Sequence, residues 1–454
     1  MRLLIKTLVV IISIAFLYNC NTTEPPPPPD DKKPTLTLAL DDVSCTEAWL
    51  QLTTKDLELP AKLTLKQFNP SGDSVTQTFS LSTQDSLLYI DSLLPDQTYK
   101  FIVAMQQPVP TGLNNRSNEI IIKTMDTTSH NFTWQTFTFG QHQHSVLYHV
   151  AVIDDNNIWA VGEIYMNDSL GNPDPNLYNL IKWDGISWKT ERVYFVNQQG
   201  QSFLAPMKSI FAFSANDIWI GLDQIIHWNG STYKSIELSD AVFKSWVNKI
   251  WGSSSNDLYI VGNAGNIAHY GGSSVGWKKI ESGTTVDLFD VFGTTNSKEI
   301  WSCGYTDDYG TSSLIRIINN TPEIIFEGQS NSQNNSYYVG PMSGIWSDNN
   351  HRVFMMNWGG IYLQKTNNQF FLEKEVARFS DVGFGIDGTA YNNVFACGEG
   401  FVGHWNGYSY TEYPELFHQQ RAFKSVKANT NTVCAVGLDY NSPIYSNAVI
   451  VLGK

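Results

Sequence analysis

The sequence predicts an all-β chain: an immunoglobulin-like β-sandwich followed by a seven-bladed β-propeller. Three observations predict it. A strand that runs through an aromatic or apolar residue into small residues, usually ending in Gly, recurs seven times between residues 150 and 437. Successive copies lie 39 to 60 residues apart, around the period of a propeller blade built from several short strands. Aromatic residues make up 13% of the chain and charged residues only 16%, a balance that suits strands and leaves little for long solvated helices.

Taken in order, residues 1–20 read as a bacterial lipoprotein signal. Arg2 and Lys6 give a basic start, and Thr7–Leu17 is an apolar stretch too short to span a bilayer comfortably. Leu17, Tyr18, Asn19 and Cys20 resemble a lipobox, with Asn19 where a small residue is usual. The resemblance implies lipidation at Cys20. Residues 21–33 form a Pro-rich tether with Pro25–Pro29 consecutive; such runs favour extended polyproline II at about 3.1 Å per residue. The expected location is the bacterial cell envelope, as an outer-membrane lipoprotein or a secreted protein, with the lipid as the only membrane attachment.

Residues 34–126 contain seven strand-like runs, from Thr35–Leu40 to Glu119–Thr124. That density fits an immunoglobulin-type sandwich. Trp49 sits on an early strand and is expected to fill the core between the sheets. Leu94 and Pro95 make a turn ahead of Tyr99. On these residues the span resembles a fibronectin type III domain, with Tyr99 at that family's tyrosine corner and Trp49 at its early tryptophan. The resemblance implies a spacer. No Arg-Gly-Asp triplet is present, so the adhesive role of some relatives does not carry over.

Residues 132–454 carry the repeats, anchored at Trp159, Trp219, Tyr259, Trp301, Phe354, Phe395 and Cys434. The third repeat shows four strands, at Val247–Trp251, Leu258–Val261, Asn266–Tyr270 and Trp277–Ile280. Asn-Gly and Asp-Gly pairs such as Asn229-Gly230 and Asp184-Gly185 mark tight turns between third and fourth strands. The seventh repeat ends after its third strand, Ala448–Leu452. An orphan alternating segment, Phe132–Phe139, precedes the first repeat and is expected to supply the missing outer strand, which would remove the open edges of the ring. The repeat running from Ile250 through Gly262 and His269 to Trp277 resembles that of secreted bacterial propeller lipoproteins, and distantly those of sialidase-type and photosystem-assembly propellers. No single activity goes with this resemblance. The sialidase Asp-box is absent, and the arginines of the mature chain (Arg116, Arg192, Arg316, Arg352, Arg378, Arg421) are scattered. The photosystem-assembly propellers use a basic patch that an acidic chain does not advertise.

The formal charge of −14 and the lack of any long Lys/Arg run argue against nucleic acid and against anionic lipid as partners. Cys45, Cys303, Cys397 and Cys434 show no metal or disulfide spacing and read as small buried side chains. His227, His269 and His404 occupy one repeat position and should lie far apart. His142 and His144, with His149 nearby, make a weak metal motif, and no metal or cofactor is expected. Asp168 and Asp174 lack the pattern of a calcium loop.

Loop length is more informative. The long connections, including Glu163–Asn179, Tyr305–Ser313, Gly328–Pro341 and Leu438–Asn447, all join second to third strands or one repeat to the next. In a propeller those connections open on one end, where binding residues concentrate. They carry Tyr165, Tyr178, Tyr305, Asp307, Asp308, Tyr309, Tyr337, Tyr338 and Tyr440 as candidate ligand-binding residues. The sequence thus predicts a monomeric, lipid-anchored, non-catalytic protein that binds a protein or glycan on this crown. A glycan hydrolase or lyase using carboxylates around the channel, and a purely structural envelope component, are the alternatives.

Overall fold

The computed structural model describes residues 34–106, 115–197, 199–294, 299–329, 340–348, 352–367, 370–440 and 445–454. The signal with Cys20, the tether, Tyr337 and Tyr338 lie outside the described residues. The fold is all-β. Among the described residues the only helix is a single 3-10 turn at Pro414–Leu416.

Two antiparallel sheets come first. One joins Thr35–Val43, Ala48–Lys55 and Asp85–Ile90; the other joins Ser74–Leu81, Ala61–Phe68, Thr98–Met105 and Ile120–Lys123. They share one core, in which Leu38, Leu50 and Leu52 of the first sheet meet Leu63, Phe101 and Val103 of the second. The amide of Leu94 donates to the Tyr99 hydroxyl at 2.8 Å, fastening the turn before Thr98–Met105. Trp49 does not stand between the sheets. Side chains alternate along a strand, so with Leu50 and Leu52 turned inward, Trp49 faces the other side, where it is buried against Tyr89 at 4.9 Å between ring centroids.

Seven four-stranded antiparallel sheets follow, numbered here one to seven in chain order, starting at Val146–Asp154, Ser209–Ser214, Val247–Ser254, Asp287–Gly293, Met342–Ser347, Gly383–Ala390 and Arg421–Ala428. The strands of sheet three, Val247–Ser254, Asp257–Gly262, Asn266–Tyr270 and Trp277–Glu281, fall where the sequence puts them. Each first strand touches the next sheet's first strand, and that of sheet seven touches that of sheet one. Apolar residues fill every space between neighbours. Ile210, Ile218 and Ile220 of sheet two meet Trp159 and Val161 of sheet one, and Cys434, Val436 and Ile450 of sheet seven meet Leu147, Val150 and Ile158 on its other side. Cys45, Cys303, Cys397 and Cys434 are all free and buried.

A second device repeats on the outer part of the sheets. Trp159, Trp219, Tyr259, Trp301 and Phe395 on second strands stand opposite Lys182, His227, His269, Arg316 and His404 on third strands. Lys182 lies over the Trp159 ring at 3.9 Å. His227 and His269 stack on their aromatic partners and bond to Asp217 and Asp257 at 2.8 and 2.7 Å. These histidines belong to separate sheets and brace their own strands. A base pressed between a ring and an acid is stabilised by both contacts.

Residues 127–133 lead from the first two sheets to the ring. The first two sheets dock on the ring end that carries the tight turns. Arg352, almost wholly buried, pairs there with Asp42 at 2.6 Å, with Asp348 at 2.7 Å and with the buried Glu47. Its guanidinium lies over the Tyr391 ring, whose hydroxyl meets Thr46. Asn392 donates to the carbonyl of Asp126 at 2.8 Å.

Trp134–Phe139 then pairs with Asn447–Gly453 as the outer strand of sheet seven, in register from Ala448↔Phe139 to Gly453↔Trp134. Its Phe137 packs on Trp183 and Trp188 of sheet one, while Trp134 packs on Tyr413 beside sheet six. The strand therefore ties three sheets together. Phe137→Ala should cost about 2–3 kcal/mol, a little under a fully buried Phe because the ring is half-buried. Thr138→Ala on the exposed side of the same strand should stay within about 0.5 kcal/mol. Urea denaturation of the two variants checks this, and equal midpoints would contradict a closing role for Phe137.

Candidate functional site

The site begins with the repeated glycine. In sheets one, three, four, six and seven the second strand carries Gly162, Gly262, Gly304, Gly398 and Gly437. A Cβ built on any of them would stand 1.8–2.2 Å from a carbonyl oxygen at the start of the facing first strand, for example 2.2 Å from that of Trp246 at Gly262. No side chain fits. The close approach lets the first strand take one extra residue. Register slips there at Tyr148, Asn248, Phe289, Ser343, Phe384 and Lys424. In sheet two the register does not slip at this end; Lys208 precedes the regular Ser209–Gly221 pair at the matching position, its amide donating to the Gly221 carbonyl at 2.9 Å. A bulge turns neighbouring side chains away from strict alternation. Here the residue at each bulge, and in most sheets the one after it, lines a cavity of about 300 Å³ at the middle of the ring.

The cavity lies at the starts of first strands and the ends of second strands. That is the end opposite the docked first two sheets. Its lining is cationic and aromatic. Lys208 lies 3.4 Å over the Tyr148 ring and Lys424 lies 4.0 Å over the Phe384 ring. Burial lowers the pKa of both ammonium groups, opposed by the charges of Glu163 and Glu399. Lys249 pairs with the buried Asp290 at 3.0 Å, and that carboxylate also accepts the amide of Ile345. Burial, with the charges of Lys249 and Lys427, lowers the His149 pKa well below the usual imidazole value. Glu163 accepts the Tyr148 hydroxyl at 2.6 Å, and burial is the first cause that raises the Tyr148 pKa.

The crown residues divide around this mouth. Tyr305 lines the cavity, packs on Phe289 at 4.5 Å, and meets Tyr309 and Trp358. Burial pushes its hydroxyl up to about 12. Tyr309 is 53% exposed and lies 4.7 Å from Trp358. Tyr165 joins the Tyr148–Glu163 group, its hydroxyl 3.4 Å from Glu163. Tyr178 lies beneath the Arg192 guanidinium, which Asp174 holds at 2.5 Å. Asp307 and Tyr440 are exposed, and Asp308 closes its own turn by accepting from Thr306 and Gly310. His142 and His144 bond separately, to the Met166 carbonyl and to Ser446, and do not converge.

Sequence reasoning missed Lys208, Lys249, Lys424, Tyr148, Phe289, Phe384 and Trp358. A signal was present. Each first strand opens with two residues set between apolar ones, as in Leu147-Tyr148-His149-Val150 and Phe423-Lys424-Ser425-Val426. A larger hollow of about 860 Å³ lies on the first two sheets, among Leu65, Val75, Tyr89 and Tyr99. Asp91 is its only charged lining residue. Size favours that hollow, but convergent charge favours the ring.

No family model matches the chain, and no curated protein matches it. Among solved structures, "YCF48 bound to D1 peptide" superposes with a TM-score of 0.50 at 13% identity, over 72% of this chain and 96% of that one. YCF48 from Cyanidioschyzon merolae gives a TM-score of 0.48 at 14% identity, over 70% of this chain and 98% of that one. At such identity the first likeness speaks for the fold, a β-propeller, and for nothing further.

The glycine has a measurable consequence. Gly262→Ala should destabilise by about 1–3 kcal/mol through overpacking against the Trp246 carbonyl. At an unstrained site the same change stabilises, by about 0.4–1 kcal/mol. The sign of the shift in urea midpoint decides between the two.

Proposed function

We propose that the chain is a non-catalytic, protein-binding, seven-bladed propeller whose ligand engages the mouth of the ring. The observation that carries this reading is the gathering of Tyr305, Tyr309 and Trp358 beside a cationic cavity, on the ring end left open by the docked N-terminal sheets. Rigid aromatic side chains with adjacent charge are what protein-binding hot spots are made of. The YCF48 propeller, of similar fold, is described as bound to a D1 peptide, which supports a polypeptide over a glycan.

In this reading each four-stranded sheet is a blade and residues 132–454 form the propeller. Residues 34–126 are a fibronectin type III spacer, supported by the Leu94–Tyr99 bond. Residues 1–20 direct lipidation at Cys20, and the tether of residues 21–33 holds the chain in the cell envelope. Because the spacer docks on the opposite end, the mouth would face away from the tether.

The binding reading is tested by capture of partners with the full chain as bait. Tyr309→Ala should weaken recovery of a specific partner about tenfold, the effect of roughly 1–2 kcal/mol at a hot spot. Tyr408→Ala, also exposed but at a tight turn on the opposite end, should leave recovery unchanged. The reverse pattern would assign the wrong end.

Anchoring has its own test. Cys20→Ala should abolish metabolic lipid labelling and move the protein from the membrane fraction to the soluble one. Membrane association that survives the substitution would refute the anchor.

A further inference from the structure

The mouth holds two cations without a carboxylate partner. Lys208 and Lys424 stand at matching first-strand positions in sheets two and seven, Lys424 at a bulge and Lys208 beside the regular Ser209–Gly221 pair, on either side of sheet one. Each is half-buried, and among the described residues neither makes an ion pair. Acids stand near without pairing to either lysine, and Glu163 and Glu399 act on Lys208 and Lys424 only through space. Asp290 is engaged by Lys249 and by the Ile345 amide, and Glu163 by the hydroxyls of Tyr148 and Tyr165. Aromatic faces under both ammonium groups offset part of their desolvation but supply no negative charge. Partly buried charges are ordinarily paired. We infer that the channel mouth is an anion-binding site, in which Lys208 and Lys424 together receive one carboxylate or phosphate group.

The cavity narrows the ligand. A volume of about 300 Å³ admits a small molecule or a single side chain, and not a folded segment. An ammonium acts as a compact point charge without the planar fork of arginine, so the site selects charge and size before shape. Tyr148, Phe289 and Phe384 would surround the anion's carbon skeleton or ester stem. This inference stands whether or not the crown binds protein, because it rests on the two lysines and the cavity alone.

The test uses the full chain in Tris buffer at neutral pH, by thermal shift and calorimetry. The probes are succinate, inorganic phosphate, and an acetylated and amidated tripeptide with one glutamate. At least one probe should raise the melting temperature of the wild type by several degrees at millimolar concentration. The Lys208→Gln/Lys424→Gln variant keeps most of each side-chain stem and should lose that shift. Lys278→Gln, an exposed lysine on the outer strand of sheet three, should keep it. Without a probe the double variant should melt no lower than wild type, since it buries two fewer charges. If it does melt lower, Lys424→Gln alone is read, with the probe's affinity expected to fall at least fivefold. A tripeptide that binds tenfold more tightly than succinate identifies a polypeptide side chain as the source of the anion. The opposite order identifies a free small anion. A wild type that no probe protects, or a double variant protected as well as wild type, overturns the site. Partner capture that depends on Tyr309 but not on the lysines would leave protein binding standing and remove the anion from it.

Discussion

The ring depends on one strand pairing. Trp134–Phe139 must hydrogen-bond to Asn447–Gly453 before the seventh sheet is complete. Until it does, the third strand of sheet seven is an open edge and the core around Phe137, Trp183 and Trp188 lacks one wall. The pairing joins residues more than 300 positions apart in sequence, so its loop-closure entropy is large. What offsets it is that the strand contacts three sheets at once. Beyond it, Lys454 and Thr133 bond to each other through both backbone groups. Both ends of the ring segment are thereby held.

A second constraint positions everything the mouth offers. Glycine on the second strand is the feature that makes the repeat visible, and in the folded chain it is a spacing device. It admits the carbonyl of the facing strand, the strand bulges, and side chains turn toward the axis. In five of the sheets the glycine that marks the repeat therefore also stands at the bulge that shapes the site. In sheet five Asn357 stands in its place, yet the register still slips at Ser343, so the glycine favours the bulge without being indispensable to it.

These two constraints explain what was legible. Strand positions in sheet three and the orphan closing strand could be read because period-two alternation and turn residues are local signals. Tyr305 and Tyr309 could be placed at one end because loop position follows from an antiparallel order. Trp49 was misread because its face depends on the parity of Leu50 and Leu52, which becomes clear only once the inner face is known. The lysines were missed for a different reason. Lys208, Lys249 and Lys424 come one to a repeat, with no run or cluster in sequence. They become neighbours only through rotation about the ring axis. Trp358 was missed because its meaning lies in its contact with Tyr309, some 50 residues away in the chain.

The same geometry resolves an apparent conflict of charge. A chain of net charge −14 argues against a basic binding patch when read as composition. Composition is an average, and the ring separates its terms. Acidic residues sit mainly in turns and outer strands, where water screens them. The cations of the mouth sit at the axis among aromatic rings, where screening is weak and each charge counts for more. An acidic exterior around a cationic opening would also discourage anions from settling elsewhere, leaving the mouth as the favourable place. Net charge therefore speaks against extended polyanions, which must cross the acidic surface, while a compact anion at the axis meets lysines in excess of the one lining acid, Asp290, which Lys249 already pairs.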